Sequence, residues 1–467
     1  MTQTIGGGVE DLQALVSGQV IGPDHTDYDD ARRVWNADID GRPAVIARCV
    51  SAADVAATVT FARERALEIA VRGGAHSTPG HSTVNGGVVI DLSRMNQVAV
   101  DPVAKRAKAG GGALLADLDA ATQAHGLAVP AGLVSHTGIG GLTLGGGMGW
   151  LTRLAGLTID NLVSAEIVTA DGRILRASLE QHPDLFWAIR GGGGNFGVVT
   201  EFEFRLHEVN PLARFGLLFW RADQGKEALR LAREVIPALP REINVVIGAM
   251  DAPPAPFVPE EHHFVPGYAV MVTGFGGDDS HANALARFRE ALPPLFEFAT
   301  PLPYVEVQKL IDQSHDWGGH YHEKTCFVDD ISDSVIDIVT EHVPRKNSPM
   351  SIVLFYRLDG AYSDVAEDAT AFSGTRTPKY AVFPIGATPD AASLPAERSW
   401  VRALWNDLHP HATATGAYLN AMADLDVDRV LAAYGPAKYE RLRRIKAEYD
   451  PHNVFHRNAN ITPGTEA

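Results

Sequence analysis

Sulfur is scarce in this chain. Cys49 and Cys326 are the only cysteines among 467 residues, they lie far apart, and neither sits in a metal-type spacing. That argues against a disulfide framework and against a thiolate zinc centre, and no metal is expected. Long apolar runs are missing too. No stretch could span a bilayer, and the start MTQTIGGGVEDLQ has neither a basic n-region nor an apolar h-region, so the expected location is the cytoplasm. Positive charge is short as well: 40 Lys and Arg stand against 57 Asp and Glu, a formal net charge of -17. A sequence-independent grip on nucleic acid or an anionic membrane needs a cationic face, so neither partner is expected. There is no GxxxxGK(S/T) motif, no internal repeat and no low-complexity tail.

What is present is a chain, 45% apolar, long enough for two or three units of ~150 residues each. Residues 43–49, PAVIARC, read as a short buried strand. Ser51 and Asp54 form a capping box that opens a helix over 52–66, and EIAVR (68–72) returns as a strand into GGAHSTPGH. This is a βαβ unit ending in a glycine-rich turn. EIVTA–DG–RILRA (166–176) reads as a hairpin, with Asp171-Gly172 supplying the two positive φ values of a type I′ turn. From about 210 to 411 the chain is richer in proline and aromatics, with strands at 268–275 and 351–358 and an amphipathic helix in DDSHANALARFREALPPL. This is read as a second, α+β unit inserted into the first. The stretch 434–463 is helical to Tyr449 and stops at Asp450-Pro451.

Glycine is the abundant residue of the first half, in clusters at Gly73-Gly74, Gly110–Gly112, Gly138–Gly149 and Gly191–Gly197. Such loops let a phosphate or a flat ring approach the backbone amides, or simply make tight turns. Several in one stretch favour an extended ligand with a diphosphate. The literal GxGxxG at Gly192, Gly194 and Gly197 is not a Rossmann fingerprint, because a helix precedes it and a strand follows, the reverse of strand–turn–helix. His76 lies just after Arg72-Gly73-Gly74, at the end of the βαβ unit, where amides would face a bound anion. Alone, it reads as an ordinary loop histidine.

VRGGAHSTPGH (71–81), GGVVIDLSRMNQV (86–98), GLVSHTGIGGLTLGGGMGWLTRLAGLTIDNLVSAEIVTADGRIL (132–175), HPDLFWAIRGGGGNFGVVTEFEF (182–204), AYLN (417–420) and YDPHNVFHRNANI (449–461) occur in an order that resembles the vanillyl-alcohol-oxidase superfamily, within it the bacterial berberine-bridge-enzyme-like oxidases. The resemblance implies an α+β fold: a PCMH-type FAD-binding domain of two subdomains (1–208, completed by 412–467) with an inserted substrate domain (209–411) of antiparallel sheet backed by helices. It implies FAD joined to His76 by one covalent bond. Val134 stands where many relatives carry a second linking cysteine. Arg72, Gly73, Gly74, Ala75, His76 and Ser77 would wrap the diphosphate, and Ser135, Thr137, Gly138, Gly141, Gly145, Gly146 and Gly147 would line the ribityl chain and ring. Val199 would serve the adenine side, and Asn458 and Asn460 would close on the ring.

The resemblance further implies hydride transfer from a small alcohol, sugar or amine to flavin N5, a side chain that takes a proton, and electrons passed to molecular oxygen to give hydrogen peroxide. Thr137 stands where a bulky aliphatic side chain in relatives blocks oxygen. The tyrosine that follows the YxN motif in many relatives is Ala421 here, after Tyr418-Leu419-Asn420. The candidate bases are then Tyr418, His136, His322, Lys324 and Tyr356. On GGHYHEKTCF (318–327), alternation puts His322 and Lys324 on one face of a strand and Tyr321 and Glu323 on the other. One of these faces should look at the flavin. A dehydrogenase with another acceptor and a catalytically silent flavoprotein are the competing readings; substrate identity and oligomeric state stay open.

Overall fold

A computed structural model describes residues 8–413 and 417–464; the first seven residues of the start lie outside it. The βαβ unit forms as its pattern predicts. Strand Val45–Arg48 leads through helix Ala52–Glu64 to strand Ile69–Arg72, and both strands pair in parallel with Val88–Asp91. The helix starts at Ser51, whose hydroxyl accepts from the Asp54 amide at 3.2 Å. The reciprocal half of the capping box is absent. The Asp54 carboxylate instead takes the amides of Ser17, Gly18 and Val50, so it ties the N-terminal segment to the helix start.

A five-stranded sheet follows, ordered Val98–Asp101, Arg106–Gly110, Val198–Arg205, Leu162–Val168 and Ile174–Ser178. Its last hairpin corrects one expectation. Only Gly172 has positive φ (85°), while the Gly172 amide donates to Thr169 O at 2.9 Å and the Thr169 amide to Arg173 O at 3.0 Å. That is a type I turn closed by a glycine bulge, not a type I′ turn. Thr169 Oγ1 donates to the Asp171 carboxylate at 2.5 Å within this turn.

Residues 212–388 supply every strand of an eight-stranded sheet in which all pairings are antiparallel. Alternation along Leu212–Arg221 shows why its strands read as unbroken apolar runs. Leu218 and Trp220 pack under helices Gly225–Val235, Asp278–Ala291, Asp333–His342 and Leu394–Leu408, while Phe215, Leu217 and Phe219 share a second core with Met148, Trp150 and Tyr418. Both faces are buried, and each large side chain so enclosed contributes about 1.5–3 kcal/mol. The C-terminal helix Pro436–Tyr449 ends before Asp450, and the chain then returns to the glycine-rich half. Lys446 and Asp450, both fully buried and 2.6 Å apart, clasp this return: Lys446 Nζ also donates to Asn195 O and Phe455 O, and Asp450 accepts the amides of Val454 and Phe455.

Candidate active site

A cavity of about 330 Å³ lies where the glycine loops, the C-terminal return and the edge of the large sheet meet. Two loops form its floor back to back. A Cβ on Gly74 would stand 2.2 Å from the Gly138 amide nitrogen, so close approach demands glycine at both positions. Ala75 follows at φ 54°, an uncommon backbone for a residue with a side chain, and its carbonyl accepts the Trp35 amide at 3.0 Å. His76 is thereby turned onto the Trp35 indole, stacked at 4.1 Å; the other face of that indole stacks on Tyr321 at 3.9 Å, and its Nε1–H donates to His315 O at 2.6 Å. Burial, with His136 and His315 adding to it, pushes the His76 imidazole well below its ordinary pKa, so it is neutral. Its Nε2 has no hydrogen-bond partner.

The YxN motif clamps the end of helix Ile139–Gly145 and the turn that follows it. The Tyr418 hydroxyl accepts from the Gly147 amide and from Asn420 Nδ2, each at 3.0 Å, and Asn420 Nδ2 also donates to Leu142 O at 3.1 Å. A Cβ on Gly145 would fall 2.0 Å from Asn420 Oδ1. Burial raises the Tyr418 phenol to about 12, against the demand on a general base near neutral pH.

Of the cofactor residues expected from sequence, Gly73, Gly74, Ala75, His76, Ser77, Thr137, Gly138, Gly141, Gly145, Val199 and Asn458 line the cavity, as does Tyr418 among the candidate bases. The others fall elsewhere. Arg72 turns its guanidinium to Ala31 O and Arg33 O. Ser135 gives its amide and hydroxyl to Asp312 at 2.8 and 2.5 Å. Gly146 and Gly147 pack against Phe372 and Thr158, and the Asn460 amide oxygen is buried outside the lining. His136 stands behind His76, ring to ring at 5.1 Å. His322 and Lys324 do share a face, as alternation predicts, but it is the helix side: they lie 3.7 and 3.3 Å from Asp424, with Lys324 Nζ over Trp405. Tyr356 packs on Phe383 at 4.9 Å.

Several lining groups carry no assigned role in the sequence: His81, Ser82 and Arg457 have none, Glu323 stands only as one side of a strand, and glycines 193, 194 and 197 only as members of a cluster. Those glycines sit in the rejected GxGxxG, between helix Pro183–Ile189 and strand Val198–Arg205. His81 closes the VRGGAHSTPGH segment that also carries His76. Its imidazole is pushed down to about 4 by burial, with Arg457 adding to this. Around the cavity, His76 Nε2, His81 Nε2, Ser82 Oγ, Arg457 Nε and Asn458 Oδ1 are all buried without a protein partner, the mark of a wall built to meet a polar ligand. Among the described residues no cluster of three or more His, Cys, Asp or Glu side chains could hold a metal ion, and no helix is long and apolar enough to cross a membrane.

Residues 43–178 match the family described as FAD binding domain, and residues 417–462 the family described as berberine and berberine like. (R)-6-hydroxynicotine oxidase of Paenarthrobacter nicotinovorans is 32% identical over 96% of this chain and 97% of its own. An FAD-linked oxidoreductase of Dictyostelium discoideum is 30% identical over 92% of this chain and 91% of its own. The crystal structure of 6-hydroxy-D-nicotine oxidase from Arthrobacter nicotinovorans superposes with a TM-score of 0.85 at 30% identity, covering 96% of this chain and 98% of that one.

Proposed function

The chain belongs to the berberine-bridge-enzyme-like FAD-linked oxidoreductases of the vanillyl-alcohol-oxidase superfamily, and from that premise we propose that it is an oxidase holding FAD through a covalent bond to His76. The residues present fit the cofactor. Glycine loops at 73–74 and 137–141 expose backbone amides to a diphosphate, and the unpartnered polar atoms of His81, Ser82, Arg457 and Asn458 offer further contacts. The observation that carries the covalent link is His76 itself: a neutral imidazole, held flat on Trp35, whose Nε2 is engaged by no protein group. When bound, FAD supplies a two-electron acceptor for a C–H bond of a small alcohol, sugar or amine, with molecular oxygen as the final acceptor and hydrogen peroxide as product.

The chain's own residues do the rest. Tyr418 and Asn420 brace the end of helix Ile139–Gly145 and the turn after it, and Ile69, Val71, Leu92 and Leu142 give the cavity an apolar wall. Thr137 leaves room on the cavity wall where a larger aliphatic side chain would obstruct a small gas. Acid precipitation tests the link: yellow colour stays with wild-type protein and is released from His76→Ala. Wild-type protein that loses its colour would refute it. Reoxidation in air, followed by stopped flow, tests the acceptor, and a slow return would point to a dehydrogenase instead.

A further inference from the structure

Among the cavity-lining residues, only Glu323 comes from the large sheet. It ends strand His320–Glu323 in register with Ile385, and its side chain crosses to the glycine-rich half, where it accepts a hydrogen bond from Thr78 Oγ1. Among the described residues no Lys, Arg or His side chain acts on it: its chain neighbours His322 and Lys324 turn to Asp424, and Arg457 lies 3.7 Å from Glu68. The titratable groups that face it are the phenols of Tyr356, from strand Ile352–Leu358, and Tyr418, from the YxN turn, both raised by burial and neutral across the physiological range. A carboxylate enclosed this way, with one hydroxyl as partner and no counter-ion, is costly unless a cation completes it.

Resting on the FAD-oxidase reading above, we propose that Glu323 is the recognition group for the basic nitrogen of an amine substrate, pairing with its ammonium across the cavity from the flavin. The chemistry favours an amine over a sugar. A sugar presents many hydroxyls and needs several donors and acceptors from the sheet side of the cavity, whereas the sheet offers a single negative charge. Replacing the ammonium by a hydroxyl leaves the carboxylate with a neutral hydrogen bond and no counter-ion, and an ether oxygen leaves it with neither, which is the condition for discrimination. Burial places the free carboxyl at about 7, so the pairing form is populated at and above neutrality and lost in acid.

The experiment measures binding, not turnover, on anaerobic FAD-loaded protein. Benzylamine, 2-phenylethylamine and 2-phenylpyrrolidine are titrated at pH 8 by calorimetry against benzyl alcohol, 2-phenylethanol and 2-phenyltetrahydrofuran. Each amine is expected to bind about tenfold or more tightly than its oxygen partner, a gap of about 1.4 kcal/mol. Glu323→Gln abolishes that preference, and Thr78→Val, which keeps the carboxylate, retains it. In wild-type protein the amine affinity falls about tenfold or more between pH 8 and pH 5.5 as Glu323 takes up a proton, a readout that needs no variant. Equal binding of the pairs, no amine binding, a preference that survives in Glu323→Gln, or a flat pH dependence overturns the proposal. Flavin absorbance and air reoxidation of the same samples separate the two readings. Protein that takes up no flavin, or whose reduced flavin does not reoxidise in air, refutes the oxidase assignment, whereas flavin-loaded protein that reoxidises but shows no amine preference refutes only the role of Glu323.

Discussion

Asp119 should be a liability at alkaline pH, and replacing it with asparagine should show how large. It sits in helix Leu115–Gln123, fully buried where that helix meets helix Tyr304–Val307 of the inserted unit. One carboxylate oxygen accepts from Gln308 Nε2 at 2.9 Å; the other has no partner, nor have Gln308 Oε1 and the Tyr304 hydroxyl. Burial therefore lifts the carboxyl from its ordinary 3.8 to about 7, with the Gln308 bond opposing only part of the rise. Between those two values the folded state binds the proton more tightly than the unfolded chain. Stability from this group thus falls as pH rises through the window, and the loss is complete above about 7. At 1.36 kcal/mol per pH unit, the penalty is on the order of 4 kcal/mol. Asparagine is neutral at every pH and can offer its amide to Gln308 Oε1. With an unfolding entropy near 1 kcal/mol per degree for a chain this long, Asp119→Asn should raise Tm by about 4 °C at pH 8 and hardly at all at pH 4. Differential scanning calorimetry at the two pH values measures it. An equal shift at both, or a lower Tm at pH 8, would refute the reasoning.

Gly74→Ala drives a methyl into the Gly138 backbone, which cannot yield as a side chain could; the cost should be about 1–3 kcal/mol or more, seen as lower Tm and a reduced flavin-to-protein absorbance ratio. Lys446→Met strands the buried Asp450 charge and should cost about 3–5 kcal/mol, with protease cleavage appearing first in the return past residue 450.

The glycine loops and the cavity they floor were legible because their requirement is local: a backbone that must pass within contact distance of another backbone accepts glycine alone. The βαβ unit was legible for a similar reason, since one helix face and one run of β-branched residues carry the pattern. The roof was not. Alternation correctly paired His322 with Lys324 and Tyr321 with Glu323, but both faces of this sheet are buried, so polarity could not say which pair looks inward. Ser135 and His136 were lost to non-local partners: Asp312, 177 residues along the chain, captures the first, and the second is packed behind His76. At Asp171-Gly172 both turn types place glycine at positive φ, so the dipeptide alone does not separate them, and the turn found carries a Thr169 hydroxyl bond to Asp171.

The indole of Trp35 has a consequence for how the protein matures. Its position depends on His315 and Tyr321, which are synthesised some 280 residues later, so the orientation of His76 is a property of the finished chain and not of the segment that carries it. A ribosome-bound fragment ending before residue 315 would contain His76 and both glycine loops yet lack the surface that holds the ring flat. Under the covalent link proposed above, attachment would be an assay the molecule performs on itself: colour that survives acid would certify that the large sheet has docked.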